Sequence, residues 1–353
     1  MDVNILQGER GTPGRENQHK FPERRAAPLL HPFSARVAGM RSGIPADFFV
    51  LEQWAGRQVI QRGLVGALDL RALGSGAVRR HEAVEEDRVE RVRQRMCATE
   101  GCDEPVLLLA RAWAGAGPGP DPVCGAAVGV TPRTGGGEQR LFRAGAVPRV
   151  DGPLLVADGH HRLEAALRLQ REHSGRSGPW DRLPALVVDA ARHPPALTAI
   201  NRVIPGIGVR QAVRAVAGLA RVVRCDASAR PEPREPLLCG SGEVWRITGF
   251  DPDVVRGALS GSPRAWARLD TALADRVVIP AIRSAGGARA EEVRCVHRPP
   301  QPQARGGVGI VLAPPTTARI WWHASAGVPM PRKTSSFGPK PVPGQITYPY
   351  AVP

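Results

Sequence analysis

Short apolar runs alternate with amphipathic stretches over the middle of this chain. Runs of strand length occur at residues 63–70, 105–111, 125–130, 153–156 and 182–190. Residues 84–98 and the stretch after Gly159 place apolar side chains at helical spacing, so both predict helices. Alternating strands and helices of this kind predict a mixed α+β or α/β domain built around a mixed sheet.

The two ends and the second half of the chain follow other patterns. Residues 1–35 are polar and interrupted by proline, which predicts a disordered tail. Beyond residue 205 the pattern predicts helices near 209–224, 251–258 and 263–274 and a hairpin of strands at 307–313 and 318–324. The last residues are too rich in proline for a helix or a central strand and predict an irregular C-terminal strap. The predicted regions are therefore 1–35 (tail), 36–205 (core), 206–325 (a second α/β region) and 326–353 (strap).

Composition changes this picture little. The net charge is +15, but only three of the 48 basic residues are lysines and the arginines are scattered, as in proteins from GC-rich genomes. Nucleic acid is therefore not expected as a partner. The chain has neither an apolar run of roughly 18–20 residues nor a signal-peptide pattern, which predicts a cytoplasmic protein without a membrane partner. The six cysteines show no metal-ligand spacing and predict reduced, mostly buried thiols.

Residues 154–167 (LLVADGHHRLEAAL) place two adjacent histidines between a predicted strand and helix. Asp158 stands where a helix N-cap belongs, and Gly159 allows close approach of a ligand to the backbone. The first N–H groups of the helix, with His160, His161 and Arg162, would suit an anion. Adjacent helical residues diverge by about 100°, which disfavours a metal site. A phosphate site is favoured, and a purely structural turn stays open.

Two further segments carry candidate chemistry. In residues 79–88 (RRHEAVEEDR), Glu82 follows His81 just before a predicted helix, where a carboxylate suits a general base. The alternative is an ordinary acidic residue of a first helical turn. In PRKTSSFGPKP, Lys333 and Lys340 are two of the three lysines of the chain, as expected where a compact ammonium is required. Beside Thr334 and neighbouring serines this segment predicts phosphate or carboxylate binding; a strap that only covers an apolar edge is the alternative.

Together, VADGHHRLEAAL, the His-Glu segment and the C-terminal PKP segment resemble the bacterial family of domain of unknown function 1015 (DUF1015). The resemblance runs from about Gly63 to the end and is weakest over residues 206–320. Asn201-Arg202 stands where many relatives carry His-Arg. That family is similar to the ParB/sulfiredoxin superfamily, and especially to archaeal free-serine kinases, which implies a ParB/sulfiredoxin-like core.

The resemblance also implies a function and a set of site residues. It implies a nucleotide-dependent phosphotransferase that uses ATP or ADP with Mg²⁺ on a small hydroxylated metabolite such as free serine, and it is compatible with a homodimer. The implied catalytic residues are Glu82, Asp158 and His161. The implied nucleotide-binding and phosphate-binding residues are His81, Gly159, His160 and Arg162. The implied substrate-binding residues are Arg202, Lys333, Thr334 and Ser335, and no residue is assigned to a metal.

Other functions stay open at this point. A ParB-like nucleotide-binding regulatory or DNA-associated module would share the phosphate-binding turn, although the chain shows no basic stripe beside a helix-turn-helix. A relative that has lost its activity is also compatible with Asn201. The kinase prediction requires Glu82, residues 158–162 and Lys333 to converge on one pocket, because groups that act on one phosphoryl transfer lie within contact distance of it.

Overall fold

The computed structural model describes residues 29–111, 125–145, 147, 152–286, 293–300 and 306–350. Over these residues the chain has a mixed α+β fold with one large mixed sheet, which confirms the predicted fold class. None of the helices in the described ranges has the length and apolarity needed to cross a membrane.

The strands are numbered in chain order. They are β1 (Leu30–His31), β2 (Phe33–Val37), β3 (Ile44–Asp47), β4 (Phe49–Ala55), β5 (Gln58–Asp69), β6 (Val78–Arg79), β7 (Gly101–Cys102), β8 (Val106–Ala110), β9 (Gly129–Pro132), β10 (Glu138–Arg143), β11 (Leu154–Asp158), β12 (Arg182–Asp189), β13 (Ala196–Ala199), β14 (Asn201–Pro205), β15 (Arg221–Cys225), β16 (Leu237–Gly240), β17 (Glu243–Thr248), β18 (Arg294–Val296), β19 (Gly307–Val311), β20 (Ser335–Gly338) and β21 (Ile346–Pro349).

The helices separate or follow these strands. They are α1 (Glu86–Ala98), α2 (His160–Glu172), α3 (Val209–Val216), α4 (Pro252–Ala258), α5 (Asp270–Leu273), α6 (Ile279–Gly286) and α7 (Thr317–Ala326). A π-helical turn (Ala274–Val278) joins α5 to α6, and 3-10 turns occupy Leu70–Ser75, Pro179–Asp181 and Arg264–Arg268.

A nine-stranded sheet carries the site. Its order is β6-β11-β8-β12-β5-β4-β10-β9, with β1 paired to β5. The pairs β6–β11 and β8–β12 are parallel and the other described pairs are antiparallel, so the sheet is mixed. The uninterrupted apolar sequence of β8 lies inside the sheet because both faces are covered there: Leu108 packs with α1 and α2, and Leu107 packs toward the second half of the chain.

The second half forms a six-stranded sheet, β15-β17-β16-β19-β14-β18. Its inner face and the helices α3, α5 and α6 share one apolar cluster with the large sheet, through Val209, Leu273 and Ile310 among others. The strand β14 (Asn201–Pro205) already belongs to this sheet, although it occupies the last five residues before the predicted boundary. The division into four regions stays a prediction.

Several sequence predictions are confirmed and others are wrong. The strands at 63–70, 105–111, 153–156 and 182–190 and the helices at 84–98 and 251–258 are all present within a few residues, and 263–274 is helical. Of the predicted disordered tail, residues 1–28 lie outside the described residues, whereas residues 30–35 lie in β1 and β2 and are ordered by pairing with β5 and β3. The predicted strand at 125–130 is displaced to β9, and the following strand β10 was not predicted.

Two elements were predicted with the wrong type. Residues 221–225 form β15 rather than the end of a helix, because Val222 and Val223 are β-branched and pair with β17. Residues 318–324 lie in α7 rather than in a hairpin strand. The Thr316 side chain caps this helix by accepting the N–H of Arg319, and Gly327 ends it with φ of 65°.

Two smaller predictions are also corrected. The C-terminal strap contains β21, which lies between β2 and β7 in a four-stranded sheet and is therefore an interior strand. The five described cysteines are free, but only Cys102 and Cys239 are buried, so "mostly buried" is wrong; Cys124 lies outside the described residues.

Candidate functional site

A cavity of about 380 Å³ lies where the β11–α2 turn, the segment before α1 and the C-terminal strap meet. The structure brings eight of the predicted site residues together around it: Glu82, Asp158, Gly159, His160, His161, Arg162, Lys333 and Ser335. Three others, His81, Arg202 and Thr334, do not line it. The cavity wall therefore unites segments that are more than 170 residues apart in the chain.

The β11–α2 turn depends on Gly159. Its φ of 94° and ψ of 24° belong to the left-handed region, and a Cβ atom there would lie 2.8 Å from Cγ1 of Val106. The turn lets α2 begin at His160 with its N-terminus toward the cavity. The first N–H groups of a helix have no partner within it, and the helix dipole makes this end positive, so the turn offers donors to an anion.

Asp158 does not cap α2, contrary to the sequence prediction. Gly159 occupies the N-cap position, and no side chain bonds to the helix end. The Asp158 carboxylate instead accepts from Nη2 of Arg162 at 2.6 Å and from Nζ of Lys340 at 2.5 Å. Both carboxylate oxygens are thus held by cations, and Asp158 joins the strap to the turn.

Arg162 supports the turn more than it faces the cavity. Its Nη1 donates to the backbone oxygens of Glu104 and Pro105, each at 2.8 Å, and its Nη2 lies 3.1 Å from the Glu104 carboxylate. Only 11% of the side chain is exposed. These contacts engage the guanidinium and fix Arg162 in the wall of the site, and its role as a phosphate ligand stays a prediction.

Two buried histidines lie behind and beside the turn. His160 lines the cavity, is 8% exposed, and its Nε2 atom has no hydrogen-bond partner among the described residues. Its ring meets that of His81 edge to face at 4.7 Å. Burial holds the pKa of His160 well below its ordinary value and lowers the pKa of His81 to about 4. Both are neutral at physiological pH, and the orphaned Nε2 is a group that a ligand would satisfy.

His161 is also neutral in this environment. Burial, followed by the charge of Arg88, lowers its pKa. Its Nε2 atom accepts the backbone N–H of Glu85 at 3.0 Å, which places its proton on Nδ1. His161 therefore orients the start of α1 and presents an N–H donor, rather than a free base, for further contacts.

Glu82 and Lys333 meet across 251 positions of sequence. The backbone N–H of Lys333 donates to Oε1 of Glu82 at 2.6 Å, and Lys333 has φ of 57°. Burial raises the pKa of the Glu82 carboxyl even though the Lys333 N–H and the lysine charge act to lower it. The Lys333 ammonium forms no ion pair with any residue in the described ranges, whereas that of Lys340 is paired with Asp158.

The three predicted residues that do not line the cavity have structural roles. The Arg202 side chain is 3% exposed, binds both carboxylate oxygens of Asp275 and donates to the backbone oxygen of Lys333 at 3.1 Å. It is fully engaged, so direct substrate binding by Arg202 is not supported. The hydroxyl of Thr334 is buried and donates to the Pro331 oxygen. The ring of His81 packs behind His160 and against Phe337.

Sequence reasoning did not assign Lys340, Arg88, Arg95, His297 or Ser336 to the site, although they line the cavity. The rarity of lysine was the signal that pointed to Lys340. Arg88 ends the 79–88 segment that the sequence analysis singled out, although it was given no role there, whereas His297 has no local signal and reaches the cavity through tertiary contacts. The wall carries five Arg and Lys side chains against three carboxylates, so its charge favours an anionic ligand.

Comparison with protein families gives one partial match. The family described as "Protein of unknown function (DUF1015)" matches residues 142–272, a stretch that includes the β11–α2 turn but neither Glu82 nor Lys333. No curated protein matches the chain.

Three solved structures illustrate what the fold is similar to, each at 12% identity. SbnI with a C-terminal truncation from Staphylococcus aureus covers 80% of this chain and 86% of its own, with a TM-score of 0.43. A free serine kinase in complex with AMP covers 78% and 87%, with a TM-score of 0.41. A conserved hypothetical protein from Pyrococcus furiosus covers 80% and 93%, with a TM-score of 0.38. Residues 142–272 thus match DUF1015, and the ParB/sulfiredoxin assignment stays a prediction.

Proposed function

We propose that this chain is a nucleotide-dependent phosphotransferase that acts on a small hydroxylated metabolite, with ATP or ADP as donor and free serine as the first acceptor to test. The observation that carries the proposal is the meeting, in one cavity, of a carboxylate of raised pKa, an ammonium without an ion-pair partner among the described residues, and a helix N-terminus. Phosphoryl transfer needs positioning and charge neutralisation above all, and these three groups provide both.

The phosphate end of the nucleotide belongs at the N-terminus of α2. The free N–H groups of this helix end are the donors for the phosphate, and the unpartnered Nε2 of His160 adds a nitrogen with hydrogen-bonding capacity to the same wall. The Lys333 ammonium has no ion-pair partner among the described residues and adds a positive charge that the transferred group requires. The paired Lys340 keeps Asp158 neutralised beside this end.

Glu82 is the proposed general base. It takes the proton of the acceptor hydroxyl while that oxygen bonds to the terminal phosphorus and the bond from phosphorus to the departing phosphate oxygen breaks. The departing electron pair remains on the nucleotide product. A raised pKa makes Glu82 a stronger base than an exposed glutamate, and the N–H of Lys333 fixes the direction of its carboxyl group.

Mg²⁺ is proposed only as an ion carried on the phosphate oxygens of the nucleotide, whose charge it would neutralise. The described residues contain no group of three His, Cys, Asp or Glu side chains placed to hold a metal. Both oxygens of Asp158 are bound to cationic side chains, which leaves that carboxylate unsuited to direct ligation. Sites that bind Mg²⁺ through substrate phosphates commonly use few protein ligands.

The test is incubation of the purified chain with ATP or ADP, Mg²⁺ and serine, followed by a panel of hydroxylated metabolites, with phosphorylated product measured by mass spectrometry. Glu82→Gln should lower turnover by about 10²-fold or more while nucleotide affinity is retained. The matched control is Glu86→Gln, which removes an exposed carboxylate paired with Arg168 and should leave turnover unchanged.

Two results would count against the proposal. Absence of any product with the whole panel would remove the enzyme assignment, and undiminished turnover by the Glu82→Gln variant would remove Glu82 as the base. Nucleotide binding without turnover would instead favour the regulatory alternative. Titration with a labelled DNA duplex at rising salt then tests that alternative, because a DNA-associated module shows a steep salt dependence.

A further inference from the structure

We propose that a side pocket next to the cavity binds the base of the nucleotide. The pocket measures about 60 Å³ and lies between the C-terminal half of α1 and residues 101–104. Nothing in the sequence singled out this place. The inference rests on the proposed function, because it assigns one end of the same nucleotide.

The position of the pocket suits a ligand that spans two sites. Val92, Arg95, Glu104 and Arg162 line both the pocket and the main cavity, so the two spaces adjoin. Arg162 is anchored to Asp158 at the β11–α2 turn and stands between the spaces. A nucleotide has phosphates at one end and a planar base at the other, and with the phosphates at the start of α2 the base has this neighbouring space open to it.

The lining of the pocket suits a flat heteroaromatic ring. Its floor consists of Met96 and Cys102, each 3% exposed, whose sulfur atoms are polarisable and make favourable contacts with aromatic rings. Both are fixed in place: the Tyr350 hydroxyl donates to Sδ of Met96, and the Cys102 thiol donates to the Glu104 oxygen. A rigid apolar slot of this kind loses little entropy when a ring enters it.

Polar groups stand at the rim of the pocket. The carboxylates of Asp103 and Glu104 are hydrogen-bond acceptors, and each is held by an arginine, at 2.8 Å from Arg95 and 3.1 Å from Arg162. An apolar floor with a few fixed polar groups at its edge is the usual make-up of a small-molecule site. A second phosphate or a charged amino acid would lose its hydration against Met96 and Cys102, so the base is the occupant that this chemistry favours.

The test fills the pocket from its exposed side. Thr99 lines the pocket but not the main cavity, so Thr99→Trp should block the base without touching the phosphate end. Affinities for ADP and for inorganic pyrophosphate are measured by calorimetry. We expect ADP to bind at least tenfold more weakly to Thr99→Trp while pyrophosphate binds as before. Ala98→Trp, at the adjacent exposed position outside the pocket, is the matched control and should change neither affinity.

The outcomes separate this inference from the proposed function. If wild-type protein binds pyrophosphate and ADP equally well, or if Thr99→Trp weakens both ligands or neither, the pocket is not the base site although the phosphate site stands. If wild-type protein binds neither ligand, the proposed function fails and the base site falls with it. Thr99→Leu, a smaller filling substitution, should give the same ranking, and unchanged pyrophosphate binding shows that the variant is folded.

Discussion

At the scale of single residues, the cavity wall is defined by how each polar group is already used. His160 has an unpartnered nitrogen and Lys333 an unpaired ammonium within the described residues, whereas Arg162 and Asp158 are held by protein partners. Only groups of the first kind have hydrogen bonds or charge left for a ligand. Of the eight predicted residues around the cavity, His160 and Lys333 therefore have groups available to contact a substrate.

Burial of His81 predicts a loss of stability in mild acid. Its pKa is about 6.5 in the unfolded chain and about 4 in the folded one. Between these two pH values the unfolded chain binds a proton at His81 and the folded chain does not. The free energy of unfolding is therefore unaffected by protonation of His81 above pH 6.5. It falls as the pH drops toward 4, by about 3 kcal/mol at most. Urea unfolding of wild-type and His81→Gln protein between pH 8 and 4.5 measures it.

The His81→Gln curve should be flatter than that of the wild type, and the two should run parallel above pH 7. Comparison of the two slopes is needed because His160, whose pKa is lowered in the same direction, also titrates in acid. Parallel curves over the whole range would mean that His81 does not carry this acid sensitivity.

The Lys333 ammonium is expected to tune Glu82 as well as to bind the transferred group. Its charge lowers the pKa of that carboxyl, so Lys333→Met should raise this pKa further and move the acid limb of kcat/KM to higher pH. The rate should fall too, because the positive charge of the Lys333 ammonium beside the phosphoryl group is lost. Arg332→Met, which removes the neighbouring cation paired with Glu85, is the control and should leave the acid limb in place. An unmoved limb in Lys333→Met would contradict the coupling.

The predicted site residues that the structure brings to one cavity come from segments whose sequence signal was local or rare. The residues of the DGHH turn are consecutive in the sequence, so a short window contains the whole motif. Lys333 and Lys340 stand out because the chain has only three lysines. The same reasoning could not foresee that Arg202 binds Asp275, 73 positions away, or that His297 reaches the cavity. Those facts depend on tertiary contacts that no short window contains.

At the scale of elements, local periodicity identified the parts of the large sheet that carry the site. The strands β8 and β12 are nearly continuous apolar runs because they are buried on both faces, and α1 and α2 keep a helical repeat. Periodicity failed for α7, whose Ile-Trp-Trp sequence suits a strand as well as a helix. The type of that element is set by its caps, Thr316 and Gly327, rather than by its apolar positions.

The β11–α2 turn gives the sharpest prediction at this scale. Gly159→Ala places a Cβ atom against Val106 and adds the cost of a left-handed conformation, about 1–2 kcal/mol for a residue other than glycine. Gly175 has a similar φ of 87°, and a Cβ atom added there would have nothing within 4 Å. The Gly175→Ala variant therefore measures the conformational cost without a steric clash. Urea unfolding should show a larger loss of stability for Gly159→Ala than for Gly175→Ala. Equal losses would mean that the turn relaxes around the methyl group.

At the scale of the whole molecule, the cavity exists because the C-terminal strap returns to the large sheet. Buried glutamines hold it there: Nε2 of Gln139 donates to Gln345 at 2.6 Å, and its Oε1 accepts the Val342 N–H at 2.9 Å. The sequence predicted a strap that returns to the site, since the three motifs belong together in the resemblance. It could not show how the strap is held, because single glutamines such as Gln139 in β10 and Gln345 just before β21 carry no recognisable signal in the sequence.

The second half of the molecule contacts the cavity wall through the buried Arg202 and its half-buried partner Asp275. Arg202 donates to the Lys333 oxygen while Glu82 accepts the Lys333 N–H, so the left-handed backbone of Lys333 is held from both sides. We expect Arg202→Met to lower the unfolding free energy by about 3 kcal/mol, the low end for a broken buried pair, since Asp275 keeps 34% of its side chain exposed.

A double-mutant cycle distinguishes a specific link from general destabilisation. Asp275→Asn should cost less than Arg202→Met, because the amide oxygen still accepts from the guanidinium, and the two changes together should cost less than their sum by about 1–3 kcal/mol. Arg202→Met should also weaken ADP binding by releasing Lys333, whereas Asp275→Asn, which leaves the Arg202 bond to the Lys333 oxygen in place, should weaken it far less. Additive losses with unchanged ADP affinity would show that the second half supports the fold without positioning the site.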